Sequence, residues 1–330
     1  MNLEAILSGF RARRALVVGD ICLDRWCRYD PALAERSRET GIPRIAVVGG
    51  ELTPGAGGTV ANNLVALGTG EVAVLGVLGD DGHGWELRRA LTARGIGHEL
   101  CFAHADFATF TYTKLLNVST NQEEDQPRVD FVNTKPLPAD AEGQLVGRLE
   151  EAAPSFDVIL VSDQAETGAG GVITAAVREA LGRIAAQEPE KVIWVDSRLR
   201  PEHFRGVILK PNEDEAKAAC ERAGVDGFAA LRELTGSRLL LVTHGARGVM
   251  LVGADGAEEW VATVAVEKPV DICGAGDSFS AGAAVAYSIT REAAAAAQFG
   301  NLVASITIMK KGTGTASPEE LRAAYARWAK

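Results

Sequence analysis

Long apolar runs are missing from this chain: nowhere in its 330 residues does one reach the ~18 apolar positions a membrane-spanning helix requires. The amino terminus, Met1 to Arg14, has the pattern of a short amphipathic helix, without the apolar core and cleavage site of a secretory leader. Cysteine is scarce. Cys22, Cys27, Cys101, Cys220 and Cys273 are odd in number and form no C-x-x-C, which argues for reduced thiols and against a disulfide scaffold. Histidines 83, 98, 104, 203 and 244 show no metal-ligand spacing and read as structural or surface residues. Positive charge is in deficit. A formal net charge of −10 argues against nucleic-acid or membrane partners, though a local basic pocket for a small phosphorylated molecule stays open. The expected compartment is the cytoplasm. Three catalytic signatures are also absent, G-x-x-x-x-G-K-[ST], G-x-S-x-G and H-x-G-H, and several common chemistries are thereby demoted.

What is present suits an α/β enzyme: 47% hydrophobic residues, 24% charged, and 36 glycines for tight strand-to-helix turns. The length admits two average domains or one large one. Continuous apolar runs beginning at Ala15, Val72, Val158, Val192 and Leu239 read as strands covered on both faces. Helix candidates near 59 to 67, 84 to 94, 138 to 152, 170 to 187 and 212 to 223 alternate with them. That order predicts a mostly parallel sheet with helices on both sides. Residues 21 to 50 and 98 to 134 break the rhythm. They are strand-like, and the period-two alternation from Thr109 to Leu115 predicts an antiparallel strand with one exposed face. Together they suggest a small β flap over the main sheet, with Ser119 to Pro127 as a loop inside it.

Five segments carry candidate chemistry. In Asp271-Ile-Cys-Gly-Ala-Gly-Asp277, a glycine turn opens a helix and aims unpaired amides at one point, with the Asp277 carboxylate beside it. Phosphoryl transfer needs that layout, a nest of donors for the phosphate and a base for the attacking hydroxyl. A tight turn with a capping aspartate explains it equally well. Pro54 to Asn63 is a second glycine cluster at a helix start, a weak match to a dinucleotide fingerprint because the preceding strand is expected to end at Gly50. Asp20 and Asp24 follow the first strand, where carboxylates can accept sugar hydroxyls or cap a turn. Asn212 and Glu215 stand three apart, able to hold a hydrated Mg²⁺ or to form a plain capping box. Val242 to Val249, with Thr243 and Arg247, is a nucleotide-phosphate turn or a simple hairpin.

Taken in order, Gly55 to Asn63, Asn212 with Glu215, Thr243 to Gly248 and Asp271 to Asp277 resemble the four signatures of the ribokinase-like (PfkB) carbohydrate kinases, nearly end to end. The resemblance implies one three-layer α/β/α domain over residues 1 to 330, with a mostly parallel central sheet and a small β lid. ATP and Mg²⁺ are the implied cofactors, and K⁺ is left open. Asp277 then matches the catalytic base, and the amides of Gly274, Ala275 and Gly276 match the anion hole. Asp24, Gly55, Thr59, Asn63, Lys114 and Arg128 match acceptor-binding positions. Asn212, Thr243, Gly245, Arg247, Gly248 and Asn301 match nucleotide-binding ones, and Asn212 and Glu215 would organise Mg²⁺ through water.

Within that family the likeness is greatest to the heptose 7-phosphate kinases, carried by Gly19 to Arg25, Ser37 to Pro43, Thr113 to Leu115, Asn121-Gln122, Arg128 to Phe131, Val161 to Asp163 and Lys311 to Pro318. It implies a sugar or sugar-phosphate acceptor and no adenylyltransferase half. Departures bear on the acceptor. The chain reads Gly55-Ala56 where two glycines are usual and Thr59 where asparagine is. Leu116 and Thr120 replace lid arginines, Glu123-Glu-Asp125 is acidic, and Cys273 stands where threonine is common. Losing two arginines weakens a phosphate site, which Lys114, Arg128, Arg36 and Arg38 could offset. A free sugar or nucleoside acceptor is the alternative, then a lapsed binding protein, with a dinucleotide-dependent dehydrogenase as the outsider. A flap with an apolar face also predicts a homodimer through the lid.

Overall fold

The computed structural model describes residues 1–120, 122–123, 128–168, 170–263 and 266–328. From the amino end, α1 (Leu3–Phe10) leads into β1 (Arg14–Gly19) and β2 (Ile21–Tyr29), and β3 (Val47–Ala56) runs directly into α2 (Gly57–Ala66). Next come β4 (Glu71–Leu75), β5 (Val77–Gly79), α3 (Gly82–Thr92), β6 (Phe102–His104), β7 (Thr111–Asn117), β8 (Gln122–Glu123) and β9 (Val129–Phe131). The middle of the chain supplies α4 (Ala139–Ala152), β10 (Val158–Asp163), α5 (Ala175–Gln187), β11 (Val192–Ser197), β12 (Ile208–Leu209), α6 (Glu213–Ala223) and α7 (Gly227–Thr235). β13 (Leu239–Thr243), β14 (Gly248–Val252), β15 (Glu258–Ala262), α8 (Ala275–Thr290), α9 (Ala293–Thr307) and α10 (Pro318–Trp328) complete it.

Eight strands form the central sheet in the order β15-β14-β13-β12-β11-β10-β1-β4. Its pairings from β4 to β13 are parallel, and β14 and β15 add an antiparallel edge. Every residue of β10 and β11 is buried, as the continuous apolar runs require of strands covered on both faces. Neighbouring side chains of β1 enter opposite layers. Val17 packs in one core with Leu64 of α2, Phe279 of α8 and Phe299 of α9, whereas Leu16 and Val18 join Leu145 of α4 and Leu181 of α5 in the other. Three layers, helix, sheet and helix, are the result.

A second sheet, β3-β2-β7-β8 with β9 also on β7, stands over the first as a lid. The period-two run predicted an antiparallel strand. β7 is antiparallel to β8 and β9 but parallel to β2, because the chain returns to the lid through α2, β4 and α3 and enters from the same end as β2. β3 likewise does not end at Gly50. It stays paired with β2 through Ala56, so the glycine cluster leaves a lid strand and belongs to no dinucleotide-binding βαβ unit. Glu124 to Pro127, part of the expected lid loop, lies outside the described residues.

Candidate active site

α8 begins where backbone geometry admits a side chain only with strain. Gly274 has φ +77°, and a Cβ there would stand 3.2 Å from Thr313 Cγ2 and 3.4 Å from Thr59 Cγ2. The turn spends one of its donors: Ala275 N donates to Ile272 O at 3.2 Å. Among the described residues, the amides of Gly274, Gly276 and Asp277 make no hydrogen bond. The free donors thus differ from the expected set by one member, Asp277 in place of Ala275, and they sit at the positive end of a 16-residue helix. The Asp277 carboxylate likewise makes no hydrogen bond among the described residues. It lies deep among protein atoms yet keeps a side open to the cleft, and that burial, with the nearby Asp196 charge, pushes its pKa up to about 7. Lys210 and Arg198 pull the other way.

Beneath the turn is a buried ion pair. Lys210, following β12, holds its Nζ 2.7 Å from Asp196 Oδ2 of β11, and Ser280 Oγ of α8 donates to the same oxygen at 3.5 Å. A Cβ added to Gly276 would come within 3.4 Å of Lys210 Nζ and 4.0 Å of Asp196 Oδ2. The missing side chain therefore leaves the cation next to the amide nest. Burial works against the Lys210 ammonium, but Asp196, Glu215 and Asp277 outweigh it and hold its pKa above the ordinary value.

On one side of the turn opens a cavity of about 360 Å³, within the range of small-molecule sites. Thr243, Gly245 and Gly248 line it from the β13–β14 turn, Ala275 and Gly276 from α8, and Asn301 from α9. Its walls are mainly apolar, with Val249, Ile272 and Phe279 among them. Asn301 is buried, and its Nδ2 finds no partner among the described residues, a donor without an acceptor at the cavity wall. Gly248 must be glycine: at φ +119°, a Cβ would lie 2.3 Å from Val261 O. Arg247 is not among the lining residues; it pairs with Glu213 and meets His244 Nδ1 at 3.2 Å. Asn212 and Glu215 form the complete capping box of α6, with Glu215 N to Asn212 Oδ1 at 2.9 Å and Asn212 N to Glu215 Oε2 at 2.8 Å. The Glu215 carboxylate is half-buried, and burial and Asp196 raise its pKa.

On the other side the lid contributes the remaining candidates. Asp24 of β2 sits hard against β3, its Oδ1 only 2.6 Å from where a Gly55 Cβ would be, so glycine makes room for the carboxylate. Burial pushes its pKa up to about 6, against the pull of Lys114 and Arg128. Lys114 Nζ stands 4.2 Å from the Trp26 ring centroid. Arg128 holds Asp130 (Nη2–Oδ2 2.6 Å) and lies 5.1 Å over the Tyr112 ring. Thr59 and Asn63 are buried on α2, where Thr59 Oγ1 donates to Pro54 O at 3.4 Å and Asn63 Nδ2 to Thr59 O at 3.0 Å. Arg36 donates to Gly41 O within its own exposed loop at 2.8 Å.

Asp20 turns inward. Its carboxylate accepts from the amides of Gln164, Ala165 and Val172 at 2.9, 2.8 and 3.0 Å, fixing the loop after β10 and leaving Asp24 as the ligand candidate of the two. Asp196, Arg198 and Lys210 escaped the sequence reading. Their only signal is polar residues at the ends of apolar runs, after Val-Ile-Trp-Val195 and Ile208-Leu209, where parallel strands release the chain at the ligand-binding edge.

The pfkB family carbohydrate kinase model matches residues 17–320. The chain belongs to this family, whose members are ATP-dependent phosphotransferases, and it is therefore such an enzyme with an alcohol group as acceptor. The bifunctional protein HldE of Pelobacter propionicus is 33% identical over 97% of this chain, and that of Citrifermentans bemidjiense 34% over all of it. The chain spans 64% and 66% of the length of those two relatives. Among solved structures, a carbohydrate kinase from Agrobacterium tumefaciens superimposes with TM-score 0.69 at 21% identity, covering 95% of this chain and 97% of its own. Arabidopsis thaliana ribokinase complexed with ribose and ATP gives 0.67 at 17%, covering 94% and 98%. The fold is thus ribokinase-like.

Proposed function

We propose that the chain phosphorylates a hydroxyl of a sugar phosphate, of the kind represented by D-glycero-D-manno-heptose 7-phosphate. One observation carries the reading: Asp277, without a hydrogen bond among the described residues, stands beside amides equally unpaired there, between the cavity and a lid bearing Asp24, Lys114 and Arg128. The HldE relatives support the sugar class. In transfer, Asp277 takes the acceptor's proton while the amides of Gly274, Gly276 and Asp277 hold the phosphoryl oxygens. Lys210 supplies a fixed cation below them. Asp24 accepts from sugar hydroxyls, and Lys114 and Arg128 hold the acceptor's own phosphate.

The site also fits Mg²⁺ carried in on the nucleotide. Among the described residues no cluster of three or more His, Cys, Asp or Glu could hold a metal alone, whereas Mg²⁺ commonly uses one or two carboxylates plus substrate phosphates. Glu215, with Asn212 beside it in the α6 capping box, would hold that ion through water. When bound, the ion would neutralise charge on the β- and γ-phosphates.

A free sugar or nucleoside acceptor is the second reading, favoured by Leu116 and Thr120 in the lid. An acceptor panel with ADP release as readout separates the two. Greatest kcat/KM on the heptose phosphate supports the first reading; greatest kcat/KM on a free sugar or nucleoside contradicts it. We further propose a homodimer joined through the lid and residence in the cytoplasm; among the described residues no helix is long and apolar enough to cross a membrane.

A further inference from the structure

Two neighbouring strand ends bring an ion pair to the cleft mouth that the mechanism above leaves unused. Arg198 follows β11 and pairs through Nη1 with Glu166, in the loop after β10. Both backbones stand on buried supports. Arg198 N donates to Asp163 O at 3.0 Å, and the fully buried Asp163 carboxylate holds Ser197 Oγ at 2.6 Å and Arg200 Nη2 at 3.0 Å. On the other side Asp20 fixes the amides of Gln164 and Ala165, just ahead of Glu166. The charged heads are nonetheless exposed, the Arg198 side chain by 46% and that of Glu166 by 64%.

Rigid roots and wet heads make a pair that is well placed and weakly held, since exposed ion pairs contribute little in water. A doubly charged phosphoryl group offers a guanidinium two charge-assisted bonds in place of one. Position points to which phosphoryl group. Arg198 lies two residues beyond Asp196, whose Oδ2 is 4.0 Å from the Cβ position of Gly276, so the arginine is rooted beside the amide nest. Its charge is felt at once by Asp277, Glu215 and Tyr112, which belong to the base, the metal-side helix and the lid.

We propose that Arg198 exchanges Glu166 for the oxygens of the phosphoryl group in flight and so completes its charge neutralisation. The proposal rests on the kinase reading. In the step, the acceptor oxygen forms a bond to phosphorus, the bond from phosphorus to the ADP oxygen breaks, and the proton goes to Asp277. Arg198 donates hydrogen bonds and transfers nothing.

Steady-state kinetics of Arg198→Ala, with the best acceptor of the wild-type chain, tests this. Expected is a fall in kcat of about 10³-fold, the lower range for a transition-state arginine, with acceptor KM changed by less than about threefold and partial rescue of kcat by added guanidinium, which a merely structural residue would not show. Because the pair is exposed, the melting temperature should stay within about 2 °C of wild type. Wild-type kcat in the variant overturns the proposal alone. So does a loss confined to the KM of phosphorylated acceptors, which would put Arg198 on the acceptor's phosphate instead. A wild-type chain that turns over no acceptor removes the kinase reading and this proposal together.

Discussion

As the proposed general base, Asp277 has to be ionised at the working pH, yet it sits where ionisation is resisted. Burial first, then Asp196 of β11 and Asp24 of the lid, push its pKa up to about 7, while Lys210 and Arg198 restrain the rise. With the base active only when ionised, kcat/KM should climb with pH through about 7 and level off above it. A profile flat from pH 5 to 8 would contradict the assignment. Stability runs the other way. A carboxylate whose folded pKa exceeds its unfolded one binds more protons when folded, so it costs stability progressively from about pH 4 to about pH 7 and constantly above. Asp277→Asn should therefore melt higher than wild type at pH 8, and by less at pH 4, in parallel thermal scans. Equal shifts at both pH values would show that the carboxylate is not strained. Asp277 was legible in the sequence because its glycine turn is local. Lys210 and Arg198 were not, because what they do depends on which strand ends the sheet makes neighbours.

Elements hold the site by way of a few unreplaceable contacts. Gly248 turns β13 into β14 with φ +119° and no room for a Cβ, 2.3 Å from Val261 O. Gly248→Ala should lower the melting temperature and weaken ATP binding about tenfold, close to 1.4 kcal/mol, by calorimetry. Unchanged affinity would mean that the turn does not shape the cavity. Asp20 is a second such contact. Asp20→Asn keeps the shape but sets an amide group against backbone donors, costing about 1–3 kcal/mol in denaturant unfolding. A variant as stable as wild type would show that the three bonds are dispensable. The helices and central strands could be read from apolar periodicity, since β10 and β11 are buried on both faces. The lid's strand directions could not. β7 alternates as an antiparallel strand would, yet its partner β2 was decided by a crossover of more than eighty residues that leaves no mark in the β7 sequence.

For the whole molecule, the lid is the part whose surface is least explained by one chain. Ile42, Val47, Val48, Val129 and Phe131 are 65%, 52%, 52%, 52% and 42% exposed, a concentration of apolar side chains on one small sheet region. Light scattering at micromolar concentration should return the mass of two chains, and 34.8 kDa, a single chain, would refute lid pairing. The central sheet, the cavity beside α8 and the lid all converge on Asp277. Single-turnover phosphoryl transfer by Asp277→Asn, with ATP binding measured in parallel, therefore tests the account most directly. The account predicts that ATP binds as in wild type while transfer to the acceptor is lost; transfer near the wild-type rate would contradict it.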